Sequence, residues 1–388
     1  MTESAANRPF FWIGIIILLL LSAGLVQAQL VTSIGNQEAL SSFGSATNSI
    51  NISESEGSPM RVVSPPAPPA QGDVGWITGF PADGYGVILH TTDGGENWTR
   101  QGSPNTIPNV ELTDVRAIDA YSAWAVGGND NHCGVILRTV DGGKTWIRCG
   151  APGSVPDFTS EGIGAVDSKI AWVVGGNGTI IHTEDGGKTW VRQASNTNAP
   201  LYRVAVVDRC NAWIIGNVDN IGTVVLRTSD GGLTWTRQGN ASTFRAVPLI
   251  DVTAADNKTA WAVGHDITIF KTMDGGASWQ IQMAKSILDM NGVCAIDKYN
   301  AWAARDYGLV YWTSDGGKTW NEQNPNGTRF WLLSVSARTL KTAWVVGASP
   351  SGQGGIILHT TNRGVNWTEQ FAPINVFFER VSFVGSKA

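Results

Sequence analysis

The string T-S-D-G-G-K-T-W at residues 313–320 decides the fold, because it recurs along the chain. It reads T-T-D-G-G-E-N-W at 91–98, T-V-D-G-G-K-T-W at 139–146 and T-E-D-G-G-K-T-W at 183–190. It continues as T-S-D-G-G-L-T-W at 228–235 and T-M-D-G-G-A-S-W at 272–279. A last copy, T-T-N-R-G-V-N-W at 360–367, has lost the acid. The acidic position is therefore Asp93, Asp141, Asp185, Asp230, Asp274, Asp315 and Asn362, at intervals of 48, 44, 45, 44, 41 and 47 residues. That period suits a blade of four short strands, and seven copies suit an all-β, seven-bladed propeller.

Each copy sits between two strand-like runs, so it reads as a hairpin turn. Gly94 and Gly95 can take the positive φ that tight turns need. The Asp93 carboxylate can accept hydrogen bonds from backbone N–H groups of the turn. A second tryptophan marks the same repeat: Trp76, Trp124, Trp172, Trp213, Trp261, Trp302 and Trp344. Five residues before it, five of the repeats carry an Asp, beginning with Asp119. Fourteen of the 17 tryptophans thus fall on two repeat positions, which favours packing between sheets over separate sites.

The chain ends predict how the ring closes. The first repeat starts at Trp76 without a preceding apolar strand, and residues 378–385 (F-E-R-V-S-F-V-G) supply one. The C-terminal strand is expected to pair into the N-terminal blade, removing two open sheet edges. The propeller then spans residues 71–388. Residues 29–70, with the proline run at 64–69, hold too little apolar surface to fold alone and read as a spacer. Residues 1–28 pair Arg8 with an apolar run at 10–26 and a V-Q-A end, the pattern of a signal peptide or an uncleaved anchor. The chain is thus expected outside the cytoplasm, touching a membrane only through that segment if it is uncleaved.

Composition narrows the function. A net charge of -5 provides no general basic field for nucleic acid. The four cysteines match no zinc spacing. Cys133 and Cys149 flank one hairpin and could form a disulfide, whereas Cys210 and Cys294 read as packed thiols. One carboxylate per Gly-rich turn is too few oxygens for calcium. No metal and no cofactor is expected.

The repeat resembles the Asp box, or BNR repeat, of sialidases, sortilin-type receptors, xyloglucanase-type glycosidases and photosystem II assembly factors. The photosystem II assembly factor family is the nearest resemblance. It is carried by V-S-F-V at 381–384, A-W-V-V-G at 343–347 and I-L-H-T-T-D-G-G-E-N-W at 88–98. This resemblance implies a non-catalytic scaffold that holds a protein partner, such as a membrane-protein intermediate. The family's arginine patch does not transfer position by position.

Aligning the repeats on the second tryptophan puts Asp114, Arg203, Asp251 and Arg380 at one innermost-strand position. Glu161 and Glu379 precede it, and Asp289 and Trp331 lie two residues further back. These residues are the candidate ligand or partner site at the channel mouth. The competing reading is a rim tied by its own salt bridges. Asp114, Asp251 and Asp289 could also supply the two carboxylates of a glycosidase, which leaves a carbohydrate-binding or glycoside-hydrolysing propeller as the alternative. Sialidase chemistry is disfavoured because no R-I-P motif is present. Two basic stripes, Arg100/Arg148/Arg192/Arg237 and His90/Arg138/His182/Arg227/Lys271/His359, read as side chains stacking near the turn tryptophan rather than as catalytic groups.

Overall fold

The computed structural model describes residues 72–385, except 131–132, 151–154, 157, 240, 245, 267, 284–287, 328 and 350–353. The signal-like segment and most of the spacer lie outside the described residues. Alternating apolar runs separated by glycine turns form seven antiparallel sheets of four strands. The innermost strands are Phe378–Phe383 in blade 1, Asp114–Ala117 in blade 2 and Ser160–Ala165 in blade 3. Leu201–Val206, Leu249–Ala254, Met290–Ala295 and Trp331–Ala337 follow in blades 4 to 7. Each innermost strand contacts that of the next blade, and blade 7 meets blade 1, so the ring is closed.

Blade 1 is built from both ends of the propeller. Phe378–Phe383 pairs antiparallel with Gly75–Ala82, with Trp76 opposite Ser382 and Ile77 opposite Val381. Phe378, Val381 and Phe383 are buried in the core shared with blade 7. Closure follows from the missing strand at one end and the spare strand at the other.

Seven hydrophobic cores lie between neighbouring blades. Each joins the second-strand tryptophan of one blade to the turn tryptophan of the next, as with Trp124 and Trp190. All seven second-strand indoles are fully buried. At roughly 200 Å² each, such an indole contributes about 5 kcal/mol of burial. In six blades one of its faces is covered from the third strand of its own blade. Trp76, Trp172 and Trp344 stack on His90, His182 and His359, while Arg138, Arg227 and Lys271 lie over Trp124, Trp213 and Trp261. The basic stripe therefore covers the second-strand indole, not the turn tryptophan expected from sequence. The register explains it: His90 is opposite Trp76 on one side and Thr99 on the other, and Trp98, next to Thr99, points to the opposite face.

The innermost strands do not pair with each other, yet their buried N–H groups must be satisfied. Short polar side chains of the preceding blade do this. Ser334 and Ser336 accept from Val381 and Phe383 N–H, Ser382 accepts from Ala117 N–H, and Thr253 accepts from Ala295 N–H. Cys294 Sγ accepts from Ala337 N–H at 3.3 Å, so this cysteine is a packed thiol, as expected.

The other cysteines differ from expectation. Cys149 is a free, buried thiol, and the Cys133 side chain lies outside the described residues. Cys149 N–H donates to Ile136 O, three residues along the strand from Cys133, or about 10 Å. That separation exceeds disulfide reach. Cys149 instead faces the next blade, and burial pushes its thiol up to about 11. Cys210 is exposed, because it stands at the tip of the Asp208 turn, its N–H donating to Asp208.

Candidate functional site: turns and axial mouth

The Thr-x-Asp-Gly-Gly turn joins the third and fourth strands. Thr313 Oγ1 donates to Asp315 Oδ1 and accepts from Gly317 N–H, both at 2.9 Å. Asp315 then accepts from Thr319 N–H (3.0 Å) and Thr319 Oγ1 (2.6 Å). The same pattern recurs at Asp141, Asp185, Asp230 and Asp274, and at Asp93 with Asn97 in place of Thr319. These hydrogen bonds hold Asp185, Asp230, Asp274 and Asp315 at about 2. Asn362 preserves the backbone contact, accepting from Asn366 N–H, without the charge. Both carboxylate oxygens of each of the six aspartates accept from the turn itself.

The turns also connect blades, which the sequence reading missed. The residue three after each turn tryptophan is Gln101, Cys149, Gln193, Gln238, Gln282, Gln323 or Gln370. Each packs on the second turn glycine of the following blade, from Gln101 on Gly143 round to Gln370 on Gly95. Gln193 and Gln370 donate to Gly231 O and Gly94 O, and Gln193 accepts from Trp235 Nε1 at 2.9 Å. The signal was present as a glutamine repeated at constant offset. Cys149 occupies the same niche in blade 2.

At the opposite end of the ring, where the innermost strands begin, the repeats diverge. Asp114, Asp251 and Arg380 come together on the axis. Arg380 grips Asp251 with both terminal nitrogens (2.6 and 3.0 Å), and its Nε lies 3.2 Å from Asp114. Asp114 also accepts from Val115 and Ile163 N–H, and Asp251 from Val252 and Val293 N–H. All three are buried. Burial opposes the charge of Arg380, but Asp251 and Asp114 hold its pKa above the usual value. This cluster ties blade 1 to blades 2 and 5 across the channel. Its carboxylates are occupied, so Asp114 and Asp251 are not available as the hydrolytic pair considered from sequence. One layer further in, burial holds the Arg116 guanidinium below its ordinary value.

Arg203 is turned to backbone, donating to Glu161 O (2.6 Å), Tyr202 O (2.8 Å) and Thr113 O (3.4 Å). Six innermost strands carry a bulge near their start. The residues left unpaired include Glu379, Glu161 and Asn291, and a bulge re-aims such side chains. Glu379 is 3% exposed, and its Oε1 has no hydrogen-bond partner. Burial, then the charge of Glu111 and of Glu161, push its carboxyl up to about 8, although Arg203 and Arg380 pull the other way. Glu111, absent from the candidates read from sequence, enters from the loop before blade 2.

Asp289 forms a second group with His265, at 2.9 Å between Oδ2 and Nδ1. That contact raises the His265 pKa. Asn291 Nδ2 donates to Asp306 Oδ1 at 2.8 Å, and burial raises the Asp306 carboxyl. His265 and Asp306 follow second strands, where loop lengths vary and alignment of repeats gives no guide. Trp331 opens the innermost strand of blade 7 and is half-buried. A shallow cavity of 290 Å³ lies elsewhere, at the outer edge of blade 3 beside Arg192 and Ser195. Among the described residues no group of three or more His, Cys, Asp or Glu is arranged to hold a metal ion.

Residues 151–227 and 219–328 match the family described as photosynthesis system II assembly factor YCF48. A structure of YCF48 bound to a D1 peptide superposes with a TM-score of 0.54 at 19% identity, covering 69% of this chain and 84% of that one. YCF48 from Cyanidioschyzon merolae gives 0.54 at 19% identity, over 76% and 97% of the two chains. The GH74 xyloglucanase from Xanthomonas campestris gives 0.52 at 14% identity, over 81% of this chain and 55% of that one. No curated protein matches the sequence. At these identities the solved structures speak for the fold alone. The chain is a BNR-type seven-bladed β-propeller similar to the photosystem II assembly factor.

Proposed function

We propose that the protein is a non-catalytic scaffold that binds a segment of a protein partner at the axial mouth, outside the cytoplasm, and aids assembly of a membrane or surface complex. The observation that carries this reading is the division of labour around the ring. The turns and the Asp114–Asp251–Arg380 cluster spend their polar groups on the fold. The bulged strand starts instead gather unlike side chains at one mouth. The similarity to YCF48, one structure of which holds a D1 peptide, supports a peptide as the kind of ligand. The N-terminal signal pattern, outside the described residues, supports the location.

The test is affinity capture with the tagged full chain from its native source, with Trp331→Ala as the control. Recovery of a protein that the control releases supports the scaffold. Recovery of none, together with binding on a glycan array, overturns it in favour of a carbohydrate-directed propeller.

A further inference from the structure

We propose that the mouth formed by blades 1 to 3 seats a long cationic side chain of the partner, a lysine or an arginine, against the Glu379 carboxylate. This rests on the protein-binding reading and adds the chemistry of the contact.

The geometry leaves one donor missing. Glu379 sits at a strand bulge, nine-tenths buried, with Oε1 unpartnered. A buried polar oxygen without a donor is costly and calls for an explanation. The acids nearest in charge come from two other blades: Glu111 from the loop entering blade 2, and Glu161 from the equivalent bulge in blade 3. The terminal nitrogens of the two arginines nearby are directed elsewhere, and Arg203 Nε, itself without a partner, makes no hydrogen bond to Glu379. Arg203 donates to three carbonyl oxygens, and Arg380 is held by Asp114 and Asp251. Neither donates to Glu379.

The missing group is therefore a positively charged donor from outside the ring. Among the described residues these acids are not arranged to hold a metal ion, and the donor proposed is an organic cation. Lysine and arginine carry their charge on a stem long enough to reach a recessed carboxylate. Without the cation, burial and its acidic neighbours keep Glu379 protonated near neutral pH. Binding expels that proton, so affinity should rise with pH until Glu379 ionises unaided.

The probes are capped pentapeptides, Gly-Gly-X-Gly-Gly with X as Lys, Arg or Gln, titrated into the full chain by NMR. The Lys or Arg peptide is expected to bind roughly tenfold or more tightly than the Gln peptide. Glu379→Gln should abolish that preference while leaving the melting temperature equal or higher. From pH 8 down to pH 6 the affinity for the cationic peptide should fall, by at most about tenfold per unit. Equal binding of the three peptides, or an unchanged preference in Glu379→Gln, overturns the proposal. If Glu379→Gln fails to fold, Glu161→Gln carries the same test with a smaller expected loss. A captured partner held equally well by wild type and Glu379→Gln overturns this inference and leaves the scaffold standing. Cationic peptides that bind while no protein is captured and a glycan array is bound uphold the chemistry of the mouth and overturn the scaffold.

Discussion

The Thr-x-Asp-Gly-Gly turns and the axial mouth lie at opposite ends of the same seven blades, and they use acids in opposite ways. At the turns each carboxylate is half-buried or exposed, and both of its oxygens accept hydrogen bonds from its own hairpin, which lowers its pKa. At the mouth Glu379 is buried and lacks a donor, which raises it. One end repeats nearly the same residues seven times; the other places Glu, Tyr, Ile, Asn or Leu at the bulged position. Repetition marks what every blade needs in order to fold. Departure from it marks what the ring as a whole can use.

The comparison breaks most severely if the ring cannot close. Deleting residues 375–388 removes Phe378, Val381 and Phe383 from the core. That forfeits about 5–9 kcal/mol against a typical total of about 5–15, so calorimetry should show no cooperative transition. Next comes the axial cluster. Arg380→Leu strands two buried carboxylates and should cost about 3–5 kcal/mol in urea unfolding. Adding Asp251→Asn should recover part of this, because the amide oxygen still accepts from Val293 N–H.

A smaller effect separates two glycines of equivalent turns. Gly142 and Gly187 have φ of 74° and 80°, so alanine at either should cost about 1–2 kcal/mol from backbone strain. A Cβ at Gly187 would also lie 2.7 Å from Cys149 Cβ, a short side chain with nowhere to swing, whereas at Gly142 the nearest atom is 3.7 Å away. Gly187→Ala should therefore melt lower than Gly142→Ala.

The smallest effect tests the two kinds of acid directly. The turn aspartates have folded pKa values below their ordinary 3.8. Their stability is present above that value and lost as pH falls toward about 2. Glu379 is raised above its ordinary 4.5, so its contribution is present below that value and lost as pH rises through about 8. Urea midpoints across pH should decline on both sides. Glu379→Gln should flatten the alkaline decline and spare the acid one.

The turn and the two tryptophan positions were legible because each depends on residues a few places apart, repeated seven times. Closure was legible because a strand was missing at one end and spare at the other. The glutamine three after each turn tryptophan was equally regular, but its role appears only once the next blade stands beside it. The Cys133–Cys149 pairing failed because register, not proximity in the hairpin, sets the distance. Glu111, His265 and Asp306 sit in loops whose lengths differ between repeats, so no alignment could bring them to the mouth.

Local physics, written into the sequence, determined the unit, its number and the seam: glycine at positive φ, aspartate bonding its own turn, strands alternating in and out. The curvature of the ring decided which side chains share the axis. Arg380 and Asp251 are separated by 129 residues and become partners only when seven sheets close. The same closure buries Glu379 without a donor, because burial and donor supply depend on the neighbouring blades and not on the strand that carries the acid.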